Sequence, residues 1–195
     1  MKKIALLVVL ASIFIFAGCS QKESESASIQ KETKPTNEVL QNETEFKYSV
    51  EEIKNKLSNP SSHYENSVKF PDVKADKWES DKNSQGDTVY HSYVEKTKQA
   101  FGITVSKDGK ITDVIVSAHI PNNSTEKTFE NVIAAAEIIS SATGLQGDEV
   151  KKKIYKLFQA QNDIDMVEHD GFMLVKRMLK DKRMLMFSVS LQNRK

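Results

Sequence analysis

The sequence predicts an α+β fold: an antiparallel sheet, a meander plus a C-terminal hairpin, covered on one face by a helix pair. Three observations predict it. Apolar and polar residues alternate through 89–120 around turn clusters at Asn83-Ser84-Gln85-Gly86-Asp87 and Lys107-Asp108-Gly109-Lys110. Apolar residues then recur at helical spacing between Phe129 and Phe158. Alternation returns in the last thirty or so residues, so strands flank a helical block and the helices must bury their stripes on the sheet. Neither βαβ alternation nor an internal repeat is present, which argues against a nucleotide-binding α/β fold.

The elements follow in order. Ser49 stands three residues before Glu52, the capping-box spacing, and Ile53 and Leu57 follow, so a short helix starts at Ser49 and ends by Asn59-Pro60. An irregular path past Pro71 leads to strands from Ala75 onward. Val89, His91 and Tyr93 alternate with Tyr90, Ser92 and Val94; Phe101, Ile103 and Val105 share a face of the next strand. After Asp108-Gly109, Val114, Val116, Ala118 and Ile120 share a face opposite Asp113, Ile115, Ser117 and His119, which makes a β-hairpin.

Pro121-Asn122-Asn123-Ser124 closes this run and offers helix caps. Phe129, Val132, Ile133, Ala136 and Ile139 then line one helix up to Gly144. A second begins near Asp148, with Val150, Ile154, Leu157 and Phe158 inward and Lys151, Lys152, Lys153 and Lys156 outward. Strands are expected around Ile164 to Val167, Gly171 to Leu179 and Met184 to Leu191.

The start of the chain is different. Lys2 and Lys3 precede an uncharged run from Ile4 to Ala17, shorter than the ~20 residues of a membrane-spanning helix and followed by small residues. That is the pattern of a cleaved export signal, 1–18. Phe16-Ala17-Gly18-Cys19 resembles the lipobox of bacterial lipoproteins, with small residues directly before a cysteine; Phe16 stands where an aliphatic residue is usual. The resemblance covers the first nineteen residues. It implies a diacylglycerol thioether on Cys19, cleavage before it, and the membrane as a partner through that lipid. Two acyl chains anchor stably where one does not. The lysine- and asparagine-rich composition points to a Gram-positive host, with the protein on the extracytoplasmic face of the cell membrane.

From Cys19 to residue 47 the chain is mostly Ser, Glu, Gln, Lys, Thr and Asn, too polar to form a core, and it is expected to be a disordered tether. Residues 48–195 then form a single domain, large enough to bury ~70% of its unfolded surface without disulfides or a structural metal. Cys19 is the sole cysteine, so no intrachain disulfide or cysteine-based zinc cage can form. A formal net charge of +1 gives no overall preference for nucleic acid.

The sequence holds no glycine-rich phosphate loop, Gly-x-Ser-x-Gly elbow or His-Glu-x-x-His helix. Ser80-Asp81-Lys82-Asn83 has the look of a penicillin-binding motif, but no Ser-x-x-Lys nucleophile pair suitably precedes it, and a turn accounts for it better. His63, His91, His119 and His169 are scattered singly, though His91 and His119 fall on matching faces. Asp163, Asp165, Glu168, His169 and Asp170 form an acidic group without the glycine and terminal glutamate of a calcium loop. No metal or cofactor is expected.

The C-terminal hairpin is basic. Lys176, Arg177, Lys180, Lys182 and Arg183, with Arg194 and Lys195 at the end of the chain, face only Asp181 as a countercharge. The first five form a candidate contact for an anionic envelope polymer or lipid headgroups, with Met173, Met178, Met184 and Met186 as an adaptable partner surface. A plainer account has lysines guarding a strand edge and methionines filling gaps beneath the helices. The leading expectation is a lipid-anchored, non-enzymatic binding or interaction module. Its rivals are an envelope enzyme or enzyme regulator with a site assembled in three dimensions, and an exclusion or immunity lipoprotein of a mobile element. A cleft with convergent His, Asp or Ser side chains favours the enzyme.

Overall fold

The computed structural model describes residues 44–59, 75, 77–121 and 125–192. The signal peptide, Cys19, most of the tether, His63, Pro71 and the proposed caps Asn122 to Ser124 lie outside the described residues. Among the described residues three helices, α1 (Val50–Ser58), α2 (Thr125–Ala142) and α3 (Asp148–Gln159), accompany seven strands. These are β1 (Glu79–Lys82), β2 (Thr88–Val94), β3 (Gln99–Val105), β4 (Ile111–His119), β5 (Ile164–His169), β6 (Phe172–Leu179) and β7 (Met184–Leu191). No described helix is long and apolar enough to cross a membrane.

The strands form one sheet in the order β1-β2-β3-β4-β7-β6-β5, every neighbour antiparallel. The predicted α+β fold is therefore the one observed. The C-terminal part is a three-stranded meander rather than a hairpin alone, and it docks through β7 on β4. Gly109, at φ +86°, makes the β3–β4 turn, a backbone conformation that costs glycine little. Asn83 holds the β1–β2 turn by accepting the N–H groups of Gln85 and Asp87 at 2.9 Å, so the Ser80-Asp81-Lys82-Asn83 run is strand and turn.

Alternation along the strands separates two faces. Phe101, Ile103, Val114, Val116, Leu185, Phe187 and Val189 join the buried residues of the helices in one core. α2 lies over β4 and β7, α3 over β5 and β6, and α1 packs on α2. All four residues assigned to the inner face of α3, Val150, Ile154, Leu157 and Phe158, are buried. α1 adds a third helix on the same side, since Lys54 Nζ sits 3.8 Å from the centre of the Tyr90 ring on β2. The capping box is present: Glu52 accepts from the Ser49 N–H at 2.8 Å and from its hydroxyl at 2.7 Å.

Register places Met166, Met173, Met184 and Met186 on the face away from the helices, whereas Met178 packs against the core. Of the methionines read as gap-fillers beneath the helices, only Met178 takes that role. The reason is parity: Met173, Met184 and Met186 each alternate with a helix-facing residue.

The domain also begins earlier than its composition implies. Glu45 pairs with Lys110 at 3.2 Å, and the Phe46 and Phe172 rings lie 4.9 Å apart. The Thr44 side chain lies against Gly171, and that of Lys47 against Gly144. Residues 44–47, expected in the tether, thus belong to the domain.

Candidate functional site

The basic hairpin is the first place to look for a site, and the fold divides it. β6 carries Lys176 on the helix-facing side, opposite Phe187 of β7 and Asp165 of β5. An ammonium group among apolar neighbours must find acceptors. Lys176 is 3% exposed, and its Nζ donates at 2.8 Å to each of Ala160 O, Asn162 O and Asp165 Oδ2. Asp165 also accepts from Asn162 Nδ2 at 2.8 Å. The Lys176 and Asn162 hydrogen bonds hold its carboxyl below the usual aspartate range. Lys176 is consequently withdrawn from the surface contact expected of it. It ties the end of α3 and the start of β5 to β6.

The other four basic residues part company. Arg177, next along β6, turns to the opposite face and stands in register with Met186 and Ile164. Lys180, Lys182 and Arg183 occupy the β6–β7 turn, where Lys182 N–H donates to Leu179 O and Arg183 N–H to Lys180 O, both at 3.2 Å. Asp181 is not the only countercharge, because Lys180 pairs with Asp163 at 2.8 Å. Arg183 O accepts the Ile120 N–H at 2.7 Å, which fastens this turn to the end of β4.

Position matters as much as pairing. The chain enters the sheet at Thr44 to Phe46, beside the β5–β6 turn. β6 leaves that turn at Phe172 and ends at Leu179, about 25 Å away at the usual strand rise. The basic turn is therefore at the far end of the sheet from the point of entry.

The acidic group disperses as well. Asp163 and Asp165 are engaged by Lys180 and Lys176, and Glu168 accepts from Gln192 Nε2 at 3.1 Å. Asp170 Oδ2 lies 3.5 Å from His169 Nε2. His169, 9% exposed, meets Lys153 Nζ at 3.1 Å through Nδ1, and Lys153 also bonds Glu149 Oε1 at 3.0 Å and Glu168 O at 3.1 Å. The Lys153–His169 contact was not predicted; nothing in a helix stripe says which strand end it will meet. Lys153, followed by the His169 charge, lowers the Glu149 carboxyl from its ordinary value.

His91 is 4% exposed, faces Gly102, and has Nε2 3.6 Å from Glu79 Oε2 and 4.0 Å from Asp81 Oδ2. His119 is exposed, opposite Met184 at the end of β4. The two share a face, yet β3 lies between their strands and His91 aligns with Ile115, so they form no common site. Among the described residues no group of three or more His, Cys, Asp or Glu is placed to hold a metal ion. Comparison with protein-family models, curated proteins and solved structures returned no match to this chain.

Proposed function

We propose that this protein is a membrane-anchored lipoprotein of the cell envelope whose domain is a non-enzymatic binding or interaction module. The observation that carries the reading is the place of Cys19. The sole sulfhydryl of the chain follows Phe16-Ala17-Gly18, directly after a positively charged start and an uncharged run, where lipidation chemistry requires it. Diacylglycerol on Cys19 makes the membrane one partner and places the domain on the extracytoplasmic face.

The second partner is a protein or an anionic polymer of the envelope. Lys180, Lys182 and Arg183, gathered in the β6–β7 turn, are the basic residues that support contact with such a partner. Lys176 has no part in such contact.

Mass analysis of the mature polypeptide tests the anchor, with a lipid-bearing Cys19 at its N terminus as the expected result. Cys19→Ala should leave the membrane fraction. A bare cysteine, or a Cys19→Ala protein retained in carbonate-washed membranes, overturns the proposal.

A further inference from the structure

Among the described residues the sheet ends in two edges of opposite character. β1 is short and wholly exposed, Glu79-Ser80-Asp81-Lys82, and its charges discourage pairing with another strand. β5 is longer, pairs with β6 without a bulge, and exposes Ile164 at 52% and Met166 at 59%. It carries neither proline nor lysine.

The ladder shows which way the backbone of β5 points. The Met178 N–H donates to Asp163 O at 2.6 Å. In an antiparallel pair, bonded residues alternate, so Asp165, Val167 and His169 bond β6 while Ile164, Met166 and Glu168 turn their backbone groups outward. Lys153 Nζ occupies the outward carbonyl of Glu168 at 3.1 Å.

We propose that β5 pairs with β5 of a second copy of this chain, antiparallel about a two-fold axis at Met166, and closes a symmetric dimer. In that register Met166 faces its own mate, Ile164 faces Glu168 and Asp165 faces Val167. Outward groups meet outward groups, and the central bonds avoid the Glu168 carbonyl. Charge selects this axis. Centring on Asp165 or Glu168 sets like carboxylates face to face, and centring on Ile164 opposes Asp163 to Asp165. Centring on Val167 routes the central bonds through the carbonyl that Lys153 holds. Ile164 and Met166 then form one apolar strip with their mates, backed by Val175. The charged β1 edge disfavours head-to-tail addition, so the contact closes as a dimer.

The test uses the full chain carrying Met166→Cys, with the wild-type chain as the control for Cys19. Mild oxidation should give a band at twice the monomer mass, absent from wild type and from Lys82→Cys on the opposite edge. Equal yields from Met166→Cys and Lys82→Cys overturn the proposal, as does a cross-linked band of another mass, which would mark a different partner. Met166→Pro provides an independent arm, since its N–H points outward and no bond within the sheet is lost. Sedimentation equilibrium should find it monomeric with an unchanged circular dichroism spectrum where wild type is dimeric; a dimer overturns the proposal. Met166→Lys, which keeps every backbone group, is judged by the same measurement if the proline variant does not fold.

Discussion

Lys176 and Asp165 meet across β6 and β5, Nζ to Oδ2 at 2.8 Å, with the lysine 4% and the aspartate 15% exposed in their side chains. The same ammonium group holds the carbonyls of Ala160 and Asn162. A residue that composition assigns to a charged surface is therefore a fastening of the α3–β5 connection.

Replacing Lys176 should be costly and replacing Lys180 should not. Lys176→Met removes charge-assisted bonds at a buried position, and an unfolding free energy lower by about 1.5–3 kcal/mol is expected. Lys180 and Asp163 are 74% and 47% exposed, so Lys180→Ala should change stability by at most ~1 kcal/mol. Urea denaturation of the two variants makes the comparison, and equal midpoints would contradict the division of the basic residues.

Acid should weaken the same fastening. The folded-state pKa of Asp165 lies below its ordinary value, so the unfolded chain takes up its proton first as pH falls. The stabilisation is complete above the ordinary aspartate value of about 3.9 and is lost as pH drops through the lower folded value. Glu52, depressed by the hydroxyl and N–H of Ser49, acts with the same sign. Thermal melts of wild type and Asp165→Asn should differ near neutral pH and converge as pH falls below the ordinary aspartate value of about 3.9.

The first helix depends on its cap. Ser49→Ala removes the hydroxyl that accepts the Glu52 N–H and donates to its carboxylate. A loss of about 1 kcal/mol is expected from chemical denaturation. Retention of full stability would mean that packing of Ile53 and Leu57 alone sets the start of α1.

Gly171 controls the entry of the chain. It adopts φ +79°, and a Cβ added there would lie 2.3 Å from Thr44 Oγ1. Gly171→Ala should cost about 1–2 kcal/mol through its backbone conformation and displace the segment from Thr44 to Lys47. Limited trypsin digestion should then cut after Lys47 faster than in wild type, ahead of global unfolding.

Much of the fold was legible from periodicity. The capping box at Ser49, the hairpin around Gly109 and the α3 stripe of Val150, Ile154, Leu157 and Phe158 all depend on neighbours a few residues away. The candidate site was legible only as charge. That five basic residues would divide among a helix-covered face, the opposite face and a turn followed from which face of β6 met α3. That four methionines would share the face away from the helices followed from strand pairing.

The sequence by itself determined the sulfur available for a lipid, the helical stripes of α1 to α3, and the alternation that separates the two faces of strands such as β4 and β7. These are local matters of spacing and backbone preference. Tertiary structure alone decided the docking of β7 on β4, the burial of Lys176 beside Asp165, the seating of Phe46 on Phe172 and the exposure of β5 as an edge. Each joins residues far apart in the chain, and the hydrophobic drive toward burial is the same for any apolar partner. Which strand met which helix was settled by packing the whole domain at once.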